Sequence, residues 1–388
     1  MVTGRYPHEH GAVGEHGLDD RLPTIAEAFR DRGFRTGGFS GNKLYFCRRA
    51  GFARGFLHFE DYFYSLGDTL YRTIWGRIVN HFIPTGVPAL QEIPERQRAE
   101  QINQRALRWI DSDRTHPFFV FLNYFDLHTP YLPKQPYRSR FSKIPNPGGL
   151  IDVDMGNQPH LSPDQLQSEV DAYDGAITYA DEQIGRMFAE LEKRGLDRNT
   201  IVVITSDHGE GFGEHDLVGH RNALYGALIH VPLIYWAPGK IPAGVRIDRP
   251  VTEASLPATV LELAGADQRQ FLTSSLAALW RHPEVANDWP DPLAEMEKHI
   301  YSPDNYPAHS GWLKAIVDPK WQLILSEKLP PELYDWRNDP KETMNLARTD
   351  AGQEIVINLG AQLLQNSDNQ KQSSSVSRAA SAGLPGQE

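Results

Sequence analysis

Ile201-Val202-Val203-Ile204-Thr205-Ser206-Asp207-His208-Gly209-Glu210 is an apolar run that stops abruptly in polar residues. Runs without alternation fit strands covered on both faces, as in parallel sheets. Upstream lies the strongest helical pattern of the chain, about Gln167 to Arg194. There Val170, Tyr173, Ile177, Ala180, Ile184, Met187, Phe188 and Leu191 recur at spacings of three and four, and Gly195 supplies the stop. A second apolar run, Phe118-Phe119-Val120-Phe121-Leu122, precedes that helix, and a third, Ile229 to Trp236, follows Glu210. Helix and strand repeated in this way predict an α/β fold, a mostly parallel central sheet flanked by helices.

Further out, Thr24 and Glu27 form a capping box for a helix running to Arg32, with Gly33 as its stop. Thr36 to Ser40 reads as a strand, residues 62 to 94 as an aromatic-rich excursion, and Glu95 to Ser112 as a helix. That helix carries Ile102, Ala106, Trp109 and Ile110 on one side, and residues 134 to 163 read as a long surface loop. Past about residue 300 the pattern changes. Trp312 to Val317 and Trp321 to Leu325 flank Asp318-Pro319-Lys320 as an antiparallel hairpin, and a helix spans Gly352 to Gln365. The expected division is an α/β domain over 1–298, a smaller α+β subdomain over 299–365, and a disordered Ser/Gln/Ala-rich tail over 366–388.

Composition narrows the function. The 388 residues carry 39 Lys plus Arg against 50 Asp plus Glu, a net charge of −11. That sign argues against nucleic acid held by bulk charge, so an anion must be bound by a local positive cluster. The one cysteine, Cys47, excludes a disulfide framework and a thiolate zinc cage. No apolar run reaches the ~18 residues of a membrane span. The opening Met1-Val2-Thr3-Gly4-Arg5 has no signal-peptide pattern.

Asp207 and His208 fall at the carboxyl end of a strand, where open α/β sheets place their ligands. A carboxylate and an imidazole side by side there can both turn toward one divalent ion, although a capping aspartate beside an ordinary histidine reads equally well. His215 and His220 follow among glycines, a grouping that points away from packing material. His128, in Asp126-Leu127-His128-Thr129-Pro130, lies past the end of another strand. It could hold an anionic oxygen or protonate a leaving group, since imidazole titrates near neutrality. A loop histidine bonded to backbone is the plainer reading, and Asp126 serves equally as a turn-former.

These motifs resemble the sulfatase family of the alkaline-phosphatase-like superfamily. Thr3-Gly4-Arg5-Tyr6-Pro7-His8 looks like the stretch just after the family's nucleophile motif, and Phe119 to Tyr131 like its strand and His-x-Pro segment. Tyr173-Asp174-Gly175-Ala176-Ile177 with Asp181 is similar to its long-helix pattern. Ile204 to Glu210 and Tyr225 through His230-Val231-Pro232-Leu233 resemble its second metal motif and the next strand. Glu332-Leu333-Tyr334-Asp335, Asp339-Pro340-Lys341-Glu342 and Asn345-Leu346 resemble its C-terminal signature.

The resemblance implies a hydrolase of sulfuric esters. Asp207 and His208 would ligate a divalent metal, most often calcium in this family, with magnesium or manganese as alternatives. His128 would contact the sulfate and assist leaving-group departure. Many relatives place a lysine four residues before the tyrosine equivalent to Tyr225. His220 lies five before it, so the positive contact falls to His220 or Arg221, with His220 preferred. Neither Asn42 nor Lys43 can be assigned to the family's Gly-Lys-Trp lysine.

The family's formylglycine motif and first metal aspartates precede the Thr-Gly-Arg segment, and here only Met1 and Val2 do so. Cys47 lacks that motif's surroundings. The expectation is therefore a chain cut after its nucleophile and inactive as written, with any export signal on the missing part. Two alternatives stand beside it. One is a phosphodiesterase, phosphonate monoester hydrolase or phosphoethanolamine-type transferase of the same superfamily. The other is a non-catalytic anion-binding protein that kept the pocket. Substrate identity, compartment and oligomeric state have no signal in the sequence.

Overall fold

The structure, a computed structural model, describes residues 1–11, 17–43, 45–62, 73, 96–151, 161–220, 222–299 and 302–381. Its contacts divide the chain into Pro23–Thr200 and a second unit joining Met1–Leu22 to Ile201–Glu388. Almost all of the expected excursion over 62–94 falls outside the described residues, as does Arg221.

In the Pro23–Thr200 unit, helix α1 (Ile25–Arg30) starts at Thr24, whose hydroxyl accepts from the Glu27 amide while Glu27 reaches back, completing the capping box. Strand β1 (Arg35–Ser40) lies between β2 (His58–Glu60) and β3 (Phe118–Asn123), and both pairings are parallel. Helix α2 (Ala99–Asp111) buries Ile102 and Ala106 against Phe39, with Trp109, Val120 and Leu122 around them. Burial of the Ile102 side chain contributes about 1.5–3 kcal/mol.

Helix α3 (Pro163–Lys193) starts from a Ser162–Gln165 capping box, and Gly195 follows it with a φ of +67°. Of the stripe read from the sequence, Ala180 and Leu191 are buried, but the buried face extends beyond it. Ala172, Gly175, Ala176, Tyr179 and Gln183 are buried, whereas Ile177 is 41% exposed. The reason is steric: a Cβ on Gly175 would stand 2.3 Å from the Tyr137 carbonyl oxygen. A loop backbone occupies this face, and only small residues let it come so close.

In the second unit, β4 (Val202–Thr205) pairs with β7 (Leu233–Trp236) antiparallel, correcting the parallel relation expected for these two runs. A parallel return requires a long crossover, normally a helix. Among the described residues the connection holds the two-residue strands β5 (Gly211–Phe212) and β6 (Val218–Gly219), one short turn (Glu214–Asp216) and the four-residue helix α4 (Gly226–Ile229), with no helix long enough to cross the sheet. Among the described residues β3 and β4 each have a single hydrogen-bonded neighbour. Both are accordingly half-buried along their length, not covered on both faces.

The C-terminal hairpin appears as expected and belongs to a four-stranded antiparallel sheet, β11-β10-β9-β8. Its strands are β8 (Leu293–Met296), β9 (Leu313–Val317), β10 (Trp321–Ser326) and β11 (Glu332–Asp335). Side chains alternate between two cores, as the two-residue period of a strand requires. Leu313, Ala315, Ile324 and Tyr334 pack with Leu217, Leu224, Tyr225 and Leu228. Ile316, Leu323 and Leu333 pack with Leu359 and Leu363 of helix α5 (Asp350–Ser381). That helix continues past Gln365 into residues read as tail, and the first Gly or Pro after Gly360 is Gly383. The expected boundary at 298/299 falls between the hydrogen-bonded β8 and β9. The architecture is mixed α/β, a parallel sheet with helices plus an antiparallel C-terminal sheet, in keeping with the fold class read from the sequence.

Candidate active site

At the end of β4 the chain turns sharply. The Gly209 amide donates to the Leu228 carbonyl at 2.8 Å, and a Cβ at Gly209 would lie 2.1 Å from the Ala227 carbonyl oxygen, so glycine is required here. Ser206 Oγ donates to the His208 carbonyl at 2.7 Å and holds the turn from inside.

His208 Nδ1 lies 2.7 Å from the Gly209 carbonyl oxygen, which can only accept, so Nδ1 carries the proton. Nε2 then faces Asp207 Oδ2 at 3.7 Å, the two side chains being 36% and 76% exposed. An imidazole lone pair beside a carboxylate is satisfied by a proton on the ring or by a cation shared between them. One hard oxygen and one imidazole nitrogen suit a divalent ion chemically. Among the described residues no group of three or more His, Cys, Asp or Glu side chains is gathered for a metal. The pair therefore offers two donors, where calcium takes about six to eight. Behind it, Thr205 Oγ1 donates to Glu253 at 2.5 Å, and burial raises the Glu253 carboxyl, with the Asp207 charge adding to the rise.

His220 stacks on His208, ring centroids 4.1 Å apart and planes at 24°. Its Nδ1 is 3.1 Å from Glu210 Oε1, and the two side chains are 8% and 4% exposed. Asp207, His208 and His220 thus come together at one strand end. His215 departs from the sequence reading: it packs flat on Tyr225, centroids 3.6 Å apart and planes at 3°, and burial lowers its pKa.

His128 belongs to the other unit. Its Nδ1 is 2.9 Å from the Thr129 carbonyl oxygen, and its ring stacks on Phe125 at 4.2 Å. Arg96 donates to the His128 carbonyl at 2.9 Å and lies over the Phe125 ring. Asp126 accepts the Ala99 amide at 2.8 Å at the start of α2, and burial pushes its carboxyl up to about 6. Its place is that of a helix cap.

Glu210 and Glu253 are site neighbours that the sequence reading left unassigned. Glu210 lies inside the quoted motif, whereas nothing local marks Glu253.

The sulfatase family model matches residues 1–266, and that of the C-terminal part of N-sulphoglucosamine sulphohydrolase matches residues 213–369. The multifunctional alkaline phosphatase superfamily protein PehA of Trinickia caryophylli is 24% identical over 320 residues, 71% of this chain and 60% of its own. Arylsulfatase K of Canis lupus familiaris is 25% identical over 376 residues, 85% of this chain and 65% of its own. The chain therefore spans less than two thirds of the length of these relatives. Among solved structures, a phosphonate monoester hydrolase of Agrobacterium radiobacter superposes with a TM-score of 0.72 at 19% identity, covering 95% of this chain and 85% of that one. A protein solved in complex with its substrate D-glucosamine-2-N,6-O-disulfate gives 0.68 at 18% identity, over 96% of this chain and 87% of that one. The family match takes in most of the chain, including the β4 turn and the His220 segment, and the chain belongs to the sulfatase family.

Proposed function

We propose that this chain carries the cation- and ester-binding part of a sulfuric ester hydrolase, with Asp207 and His208 as ligands of a divalent metal. The observation that carries this is the 3.7 Å approach of His208 Nε2 to Asp207 Oδ2 at the end of β4. When bound, a divalent cation such as calcium supplies charge neutralisation for the ester oxygens. Asp207 contributes the negative charge that attracts it, and the Gly209 carbonyl fixes the His208 tautomer so that Nε2 is the donor. His220, its Nδ1 held by Glu210, meets the anionic ester through Nε2. For His128, whose Nδ1 engages the Thr129 carbonyl, the proposed role is that of a general acid toward a leaving oxygen through Nε2.

The test is elemental analysis of purified chain equilibrated with calcium, magnesium or manganese, with Asp207→Ala alongside. Metal retained by the parent and lost by the variant is expected, and equal content in both removes the ligand assignment. Metal-dependent binding of an aryl sulfate, lost in His220→Ala, tests the ester class. The superposition on phosphonate monoester hydrolase supports a second reading within the superfamily. Tighter metal-dependent binding of an aryl phosphonate monoester than of the sulfate selects it.

A further inference from the structure

Glu342 is 3% exposed and holds a backbone φ of +54°, a left-handed conformation that favours glycine. Its Oε2 accepts the Gly226 amide at 2.7 Å, while its buried Oε1 has no hydrogen-bond partner among the described residues. Burial pushes the carboxyl up to about 7, with Glu332 on β11 and Asp339 in the following turn adding to the rise. A strained backbone, a bare oxygen and two like charges all weigh against a carboxylate here. What it holds is the compensating feature.

Gly226 opens α4, and α4 is the element against which the metal-motif turn is built. The Leu228 carbonyl receives the Gly209 amide, and the Ala227 carbonyl fills the space a Gly209 side chain would need. The residues before Gly226 are gripped by the same sheet. Gln322 Nε2 donates to the Leu224 carbonyl at 2.9 Å. Tyr225 donates to Glu332 at 3.0 Å, and Tyr334 donates to the same oxygen.

We infer that Glu342 is a positioning residue for the Asp207-His208 turn: through Gly226 and Leu228 it sets the backbone of Gly209, and so the direction of both side chains. This deepens the cation-site reading and rests on it for its functional consequence.

Glu342→Gly removes the carboxylate and suits the φ of +54°, whereas Glu342→Gln keeps an acceptor for the Gly226 amide. Amide hydrogen exchange over 207–211 and over the β9–β10 hairpin is measured on the full chain, together with affinity for Mn2+. In Glu342→Gly, exchange over 207–211 should accelerate about tenfold with the hairpin unchanged, and Mn2+ should bind about tenfold more weakly. Glu342→Gln should restore both. Unchanged protection over 207–211, or a loss shared equally by the hairpin, overturns the inference. Asp207→Ala separates the two ideas. If it leaves Mn2+ affinity intact, the cation reading falls, and the exchange result still decides the role of Glu342.

Discussion

The rings of His208 and His220 lie one on the other, 4.1 Å between centroids, so the turn after β4 and the start of the next segment are locked together. Glu210 keeps the second ring in place, and that pair is almost wholly buried. Truncation by Glu210→Ala takes the carboxylate away from a buried imidazole nitrogen. The cost should be about 1–3 kcal/mol in denaturant unfolding. Glu210→Gln, which still accepts a hydrogen bond, should lose less. Equal stability of the alanine variant and the parent would mean that Glu210 does not hold the ring.

Glu342 makes stability depend on pH in a stated direction. Its carboxyl is raised from 4.5 to about 7, so between those values the folded state holds more protons than the unfolded one. Stability from this group is complete below about pH 4.5 and is lost as pH rises through 7. Glu342→Gln should therefore match the parent at pH 4 and exceed it at pH 8 by on the order of 2–3 kcal/mol. The same difference at both pH values would rule out the buried carboxyl as its source.

What was legible in the sequence was local. The Thr24–Glu27 box, the hairpin around Asp318-Pro319-Lys320 and the placing of Asp207 and His208 just past a strand are each written within a few residues. Pairings between distant segments were not. Nothing near Val202 says that Trp236 will lie opposite it in antiparallel register, and nothing near Glu342 names the Gly226 amide. His215 shows the limit of residue type as a guide. Its grouping among glycines points away from packing, yet it lies flat on Tyr225, a member of the core beneath the sheet.

Asp126 illustrates the same point from the other unit. It reads equally as a turn-former or a functional group, and its contact is the first amide of α2. Asp126→Ala should cost about 0.5–2 kcal/mol, as loss of an N-terminal cap does. Asp126→Asn should recover most of it. An alanine variant with parental stability would show that the cap carries no weight.

Two glycines of α3 should respond in opposite directions to the same change. At Gly185 a Cβ meets nothing within 4 Å, and the residue sits inside a regular helix. Alanine there narrows the unfolded ensemble and favours the helix, so Gly185→Ala should stabilise by about 0.5–1 kcal/mol. At Gly175 the added methyl would meet the Tyr137 carbonyl, a backbone atom that cannot swing aside as a side chain would. The Tyr137–Ser139 turn must move off the helix, carrying with it the Tyr137 bond to Glu182. Gly175→Ala should therefore destabilise by about 1–3 kcal/mol, read by urea unfolding. Helix propensity alone predicts that both variants gain stability, so a gain at Gly175 would show that the loop does not press on this face.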